Sequence, residues 1–421
     1  SGFSSPEILV FDVTDPASPI FVSTRSYQSN DDGFQADIPP NSADRSYFIV
    51  SLDSVNQVNE YYADNDSAYL KSSDNKADYL VITPAELEKA ANRLADYRSG
   101  KGLSTKVVLL EDIFDQFNYG IFSPHAVKDF LAHAYLNWQQ PPVYVVLAGA
   151  GSYDYNNNLG HGDCLMPPLM GNTPNGLLAL DNLFADVAGN DGVPEIAVGR
   201  IPALTANEMD AYIDKVVKFE TNSVWKKRAL LLADFSKADD PFSLQSDILA
   251  ELFPLDYDLQ KIYLSENSIS EARSEVMNAI NSEVSIINYV GHGGMDRVSS
   301  SGMLKTSDVA LMANDHVPFV MTALTCVVGR FELSGYDSLS EVLVMKENGG
   351  AAAVWAAAGL SEDSQALILG EEFYQAIFDG DSANTVGAAV VKSLNGYSVR
   401  GDKSYRLEIY NLLGDPALIV R

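Results

Sequence analysis

Two residues able to do covalent chemistry follow two similar apolar runs. His292 stands in Gly291-His292-Gly293-Gly294, directly after the run from Val284 to Val290. Cys326 stands after Thr325, which closes the run from Val317 to Leu324. Runs of this length, separated by a helix-length connection, read as neighbouring buried parallel strands. Ligands of such sheets bind at the carboxyl ends of the strands, where both residues fall. Adjacent strands lie about 4.8 Å apart, so an imidazole and a thiol placed there can meet across one gap. That is the arrangement of a cysteine nucleophile with a histidine partner.

The chemistry asks for specific groups. A free thiol is only a few per cent ionised at neutral pH, and the thiolate attacks. A neighbouring imidazolium favours the thiolate and can protonate a departing amine. The developing oxyanion needs preorganised N–H donors, for which the backbone amides of Gly293 and Cys326 are candidates. Two other uses of these residues compete with this one. A His-Gly-Gly turn also serves esterases, but the Gly-x-Ser-x-Gly elbow of that fold does not occur in the chain. A buried inert thiol, or a Cys164–Cys326 disulfide, would remove the nucleophile.

Asn288 to Gly294 together with Thr325-Cys326-Val327-Val328-Gly329 resemble the motifs of the gingipain-like cysteine peptidases. Val193 to Ala203 and Leu413 to Leu418 extend the likeness, which covers roughly residues 78–421. The resemblance implies a caspase-like fold and cysteine endopeptidase activity on protein or peptide substrates. It implies an extracellular or cell-surface location, and no cofactor for catalysis. In the family the amides matching Gly293 and Cys326 form the oxyanion hole. An acidic residue beyond an earlier strand orients the histidine, which carries over to Asp234, with Ser236 as the other register. The aspartate of the primary pocket carries over to Asp247, implying Arg or Lys before the scissile bond; a water-facing Asp247 is the alternative. The pocket tryptophan of some members has no counterpart in Ser361-Glu362-Asp363-Ser364. Family members also carry structural calcium. The oxygen-rich segment Asp181, Asp186, Asn190, Asp191 and Glu195 is the place for it, or else an exposed acidic loop, since its spacing is no EF-hand.

The elements that must position these residues are legible as alternating strand and helix. Tyr79 to Ile82, Val107 to Leu110, Val143 to Leu147 and Glu195 to Val198 read as strands of a first half, 78–224. Helices follow Thr83, which reads as an N-cap with Pro84 at the first helical position, and cover 124–138 and 206–220. A second half, 225–421, carries strands at 229–233, 262–264, 284–290, 317–324 and 351–358. Its helices are expected at 244–252, 271–281, 338–346, 365–378 and 383–394. Strands alternating with helices predict an α/β/α sandwich of two parallel-sheet subdomains. Residues 1–77 read as a small β-rich module, with strands at 8–13 and 46–50, ending in a polar linker from Asp64 to Lys76.

Composition sets outer limits. The chain has 421 residues, more than one typical core, and a formal net charge of −29. That charge argues against nucleic acid and anionic membranes, and would attract cationic peptides or calcium. No run of 18 apolar residues occurs, so no spanning helix is expected. The chain opens at Ser1 without a signal-peptide pattern, as a processed product or an excised fragment would, so a propeptide or flanking domains are expected outside it. His125, His133, His161 and His316 lack metal-ligand spacing. The segment from Leu147 to Asp154 lacks a full dinucleotide fingerprint. A processing transpeptidase of a secretion pathway and a non-catalytic binding module are the other functions the motifs admit.

Overall fold

The computed structural model describes residues 2–16, 18–29, 33–38, 44–56, 69–189, 191–222, 227–236, 241–379, 385–400 and 405–420. Two compact units result, Ser1–Ser67 and Ala68–Arg421. In the first, strand β1 (Ile8–Asp12) pairs antiparallel with β2 (Ile20–Val22) and with β5 (Tyr47–Ser51). A separate hairpin joins β3 (Arg25–Gln28) to β4 (Phe34–Asp37).

The second unit begins with β6 (Tyr79–Thr83), α1 (Glu88–Ser99), β7 (Thr105–Leu109), α2 (Leu110–Asn118), α3 (Pro124–Asn137) and β8 (Tyr144–Ala148). A hairpin of β9 (Met170–Thr173) and β10 (Gly176–Ala179) precedes β11 (Ala197–Ile201) and α4 (Ala206–Thr221). The second half runs β12 (Arg228–Ala233), α5 (Pro241–Ala250), β13 (Asp258–Tyr263), α6 (Ile269–Asn281) and β14 (Ile286–Val290). Three two-residue strands follow, β15 (Gly293–Gly294), β16 (Arg297–Val298) and β17 (Leu304–Lys305), then α7 (Thr306–Val309). The chain closes with β18 (Phe319–Leu324), α8 (Leu339–Met345), β19 (Ala351–Ala357), α9 (Asp363–Phe378), α10 (Val386–Arg400) and β20 (Tyr410–Gly414).

One ten-stranded sheet, in the order β13-β12-β14-β18-β19-β20-β11-β8-β6-β7, forms the centre. The expected α/β/α sandwich is therefore present, but the two anticipated sheets are continuous. The cause is β20, unread as a strand in the sequence. It pairs antiparallel with β19 and parallel with β11, so the terminal segment stitches the halves together. Side chains alternate between helical layers, as a sheet covered on both faces requires. Tyr79 and Val81 pack with Ala90 and Leu94 of α1, whereas Leu80 and Ile82 pack with Val127 and Phe130 of α3.

Local capping explains where helices start, and one expectation fails. Thr205 and Ser268 close capping boxes with Glu208 and Glu271 at the starts of α4 and α6. Thr83 does not cap. It is the last residue of β6, and its hydroxyl donates to the Pro84 carbonyl at 3.2 Å. Pro84 is extended and a 3₁₀ turn from Ala85 to Leu87 intervenes, delaying α1 to Glu88. The anticipated junction at 224/225 and the first five residues of the linker, 64–68, lie outside the described residues.

A buried ion cluster locks the terminal strand. Arg98 of α1 donates through Nε to Asp415 at 2.8 Å and through Nη1 to Glu220 of α4 at 2.8 Å. All three are at most 2% exposed. The Leu413 to Leu418 motif thus has a structural use: it places a carboxylate under α1.

Candidate active site

Strand register brings the histidine and cysteine to one edge. Val290, the last residue of β14, is the register partner of Leu324, the last of β18. Counting two residues onward from each gives His292 and Cys326. The first half repeats this topology: β7-β6-β8-β11 follows the same order as β13-β12-β14-β18. There Ala148 partners Ile201, and the next glycine, Gly149, has φ 143° against 148° for Gly291. Two residues onward stand Ala150 and Ala203. The second half alone therefore presents a nucleophile and a base at this edge.

The turn after β14 needs glycine. A Cβ on Gly291 would fall 2.3 Å from Asp234 Cβ and 2.7 Å from the Tyr289 hydroxyl, and its positive φ is unfavourable for other residues. His292 follows, exposed, with its ring edge-on to Phe242 at 5.2 Å between centroids. Its carbonyl accepts from the Ser299 N–H at 2.8 Å and from the Tyr289 hydroxyl. Because Ser299 N–H reaches His292 O, Gly293 and Val298 form a non-hydrogen-bonded pair, which leaves the Gly293 N–H outside that ladder.

Asp234 supports this turn from below. It is 4% exposed, and its Oδ1 accepts from the Phe235 N–H at 2.9 Å and the Ser299 hydroxyl at 3.0 Å. Its Oδ2 accepts from the His292 N–H at 3.3 Å and the Tyr289 hydroxyl at 3.4 Å. The aspartate is thus beside His292, yet its hydrogen bonds go to two main-chain N–H groups and two hydroxyls and not to the imidazole ring. Burial, then the Asp234 charge, hold the Tyr289 hydroxyl well above its ordinary pKa, so it stays a donor.

The cysteine turn is packed against the histidine turn. A Cβ on Gly293 would sit 2.5 Å from the Cys326 carbonyl oxygen, and Thr325 Oγ1 donates to Gly291 O at 2.6 Å. Val327, immediately after the cysteine, has φ 50°. A β-branched residue there is an outlier costing about 1–3 kcal/mol. Val328 N–H to Cys326 O at 2.7 Å and Val327 N–H to Gly359 O at 3.0 Å hold it in place. The half-buried Cys326 sulfur takes the Ser361 N–H at 3.3 Å and gives its proton to the Ser361 carbonyl at 3.4 Å. The Cys326 N–H has no protein acceptor among the described residues.

The sulfur and imidazole border one cavity of ≈ 290 Å³, lined also by Ser236, Phe242, Thr325, Ser361, Glu362 and Asp363. Ser361, Glu362 and Asp363 belong to the segment that the resemblance aligns with the pocket tryptophan of some members; the sequence reading gave them no role of their own, and they follow β19, the next strand in the edge. Glu362 pairs with Arg406 at 2.8 Å, whereas Asp363 has no ion-pair partner among the described residues. Asp247 lies elsewhere. On α5 it accepts from Lys261 at 2.6 Å and from the Tyr263 hydroxyl at 2.8 Å, and it does not line this cavity.

The acidic segment does not assemble into a calcium cage. Asp181 is buried with both oxygens taken by Arg200, at 2.7 and 3.1 Å. Asp191 accepts from the Val193 N–H at 3.2 Å, and Glu195 from the Val187 and Ala188 N–H groups at 2.9 Å. Asp186 keeps one buried oxygen without a hydrogen bond, but Lys128 approaches its other oxygen at 3.8 Å. Asn190 lies outside the described residues. Among the described residues no three His, Cys, Asp or Glu side chains group to hold a metal ion. The three aspartates therefore do not fit as one ligand set. Cys164 and Cys326 are both free thiols.

Comparison with known proteins identifies the family and the fold. The model of a family described as Peptidase family C25 matches residues 72–421. Gingipain R2 of Porphyromonas gingivalis strain W83 is 25% identical over 366 residues, covering 81% of this chain and 46% of that protein. Gingipain R1 of Porphyromonas gingivalis is also 25% identical, with 81% of this chain and 34% of the relative covered. The chain thus spans less than half the length of these relatives. The crystal structure of the Arg-specific cysteine proteinase gingipain R superposes with a TM-score of 0.69 at 19% identity, covering 86% of this chain and 80% of that one. The complex of Porphyromonas gingivalis RgpB pro- and mature domains gives 0.68 at 21%, covering 82% and 79%. The fold is the caspase-like fold of these proteins, and the chain belongs to peptidase family C25.

Proposed function

We propose that this chain is a cysteine endopeptidase in which Cys326 attacks the scissile carbonyl and His292 manages the proton. The observation that carries the reading is the shared cavity, with the two turns locked together by the Gly293–Cys326 contact. Transfer of the thiol proton to the imidazole creates the nucleophile, and the resulting imidazolium then protonates the leaving amine. The free Cys326 N–H and the outward Gly293 N–H are candidate donors to the oxyanion. Each such donor is worth about 3 kcal/mol in the transition state.

A basic residue before the scissile bond fits the cavity. Asp363 supplies a carboxylate with no ion-pair partner among the described residues, and Glu362 adds a second, already paired with Arg406. Asp247, neutralised by Lys261, is less suited. The similar crystal structure is described as Arg-specific, which supports the same choice. Protein substrates, and a propeptide like that in the similar complex, are the partners this reading names. Secretion or a cell-surface location belongs to the proposal and rests on the resemblance. No helix among the described residues is long and apolar enough to cross a membrane.

Alkylation tests the reading within one molecule. Burial raises the Cys164 thiol above its ordinary pKa, and its proton goes to the Ser152 carbonyl at 3.2 Å, so it serves as an internal inert control. Iodoacetamide at pH 6 is expected to modify Cys326 far faster than Cys164, with the difference lost in His292→Ala. Equal rates at the two cysteines would leave a binding module. Product analysis with an added amine separates hydrolysis, which leaves a carboxylate, from transpeptidation, which joins the amine.

A further inference from the structure

His292 borders a second cavity, of ≈ 210 Å³, that Cys326 does not line. Its walls are Phe235 after β12, Leu264 and Asn267 between β13 and α6, Ile269 at the start of α6, and Ser300 and Ser301 in the loop after β16. His292 is the only lining residue it shares with the cavity that holds Cys326.

We propose that this second cavity is the subsite for the residue immediately after the scissile bond, and that it selects an uncharged aliphatic side chain. The inference rests on the cysteine-peptidase reading above. When the tetrahedral intermediate collapses, the oxyanion pair re-forms the carbonyl and the C–N bond breaks. The imidazolium proton passes to the departing nitrogen. The acyl part stays on the Cys326 sulfur as a thioester. The nitrogen must therefore lie on the imidazole side of the carbonyl carbon, and the chain it begins runs across His292, away from Cys326. The second cavity meets the first only at His292, so it is where the continuing chain is placed by this inference.

Its chemistry sets the preference. Leu264, Ile269 and Phe235 are apolar; Asn267, Ser300 and Ser301 are neutral. The one carboxylate, Asp234, has both oxygens bonded to protein groups. A cation entering the cavity finds no free counter-charge and faces the His292 imidazolium, whereas an anion would pair with that imidazolium and hold back the proton the departing nitrogen needs. Asn267 anchors its side chain by donating from Nδ2 to the Tyr263 carbonyl at 2.9 Å, which fixes the loop that runs from Leu264 to Ile269. A branched aliphatic group buries against these walls without leaving a charge unpaired.

Internally quenched peptides that share one sequence before the cleaved bond and differ only in the next residue test this. The wild type is expected to favour Leu or Val over Asp at that position by about tenfold or more in kcat/KM, the sign following from desolvation of the charge. Ser301→Arg lies outside the catalytic groups and places a cation on the wall. It is expected to narrow or invert that preference while leaving the rate at which iodoacetamide alkylates Cys326, which does not use this cavity, unchanged. Equal rates for Leu, Val and Asp in the wild type, or a Ser301→Arg profile like that of the wild type, overturn the subsite. If the wild type cleaves none of the peptides, the peptidase reading falls and the subsite with it. Cleavage with flat selectivity across the peptides sinks the subsite alone.

Discussion

Gly293 and Cys326 touch: a single methyl group on the glycine would overlap the cysteine's carbonyl oxygen. The base-bearing turn and the nucleophile-bearing turn are therefore set by one backbone contact. Gly293→Ala is expected to spread the turns. Misplacement of reacting groups by about 1 Å costs on the order of 10²-fold in rate. The variant should lose about that much kcat/KM on a peptide substrate while circular dichroism shows the fold intact.

Asp234 tests what kind of support the base receives. Asp234→Ala leaves the buried Ser299 and Tyr289 hydroxyls without this acceptor, as well as the His292 N–H, each costing about 1–3 kcal/mol if unsatisfied. Lower thermal stability and lower kcat are expected, because the turn that carries the imidazole loses its support. Wild-type stability and kcat in Asp234→Ala would show instead that the turn holds without it.

Two aspartates compete for the recognition of a basic substrate residue, and position decides between them. Asp363→Asn is expected to lower kcat/KM for Arg and Lys peptides by about tenfold or more, the scale of one desolvated charge pair. Asp247→Asn, which frees Lys261 at the surface, should stay within about twofold. The reverse ranking would restore the assignment drawn from the motif.

These outcomes show how far the sequence could be read. The ends of β14 and β18 were visible as apolar runs broken at Gly291 and Thr325, so His292 and Cys326 could be placed on one edge from hydrophobic pattern alone. Asp234 could be placed near them, because it follows the strand next to β14; that it holds the main chain depends on Ser299 and Tyr289 geometry, which no pattern encodes. Ser361, Glu362 and Asp363 carry no motif of their own. The resemblance placed their segment by the pocket without a role for any of them, and they reach the site because β19 lies next to β18, a fact of strand order. Asp247 and Asp181 have the right side chains in the right segments, but Lys261 and Arg200 claim them first. Likewise β20 is short and follows a polar stretch, so its role in fusing two sheets was hidden until its neighbours were known.

The buried cluster at the sheet junction should matter for stability more than for chemistry. Asp415→Ala leaves Arg98 buried without that carboxylate, and removing one partner of a buried pair costs about 3–5 kcal/mol. A denaturant midpoint lowered accordingly, with active-site labelling normal in the fraction that remains folded, is the expected result.

Two buried glutamates tie stability to pH. Burial pushes Glu341 up to about 8 and Glu332 up to about 7, from an ordinary value of 4.5. The folded state therefore binds more protons than the unfolded chain between these limits, so their contribution is full below about pH 4.5 and declines as pH rises towards 8. The double variant Glu341→Gln, Glu332→Gln is expected to flatten this decline in urea titrations at pH 5 and 8. An unchanged slope would mean that other groups set it.

Cleavage of a positional peptide library by the wild type, Cys326→Ala and His292→Ala is the most direct measure of whether these two turns form a catalytic pair. The account predicts cleavage by the wild type, concentrated after Arg or Lys, and none above background from either variant. Wild-type rates retained without the sulfur, or no cleavage by the intact chain, would contradict it.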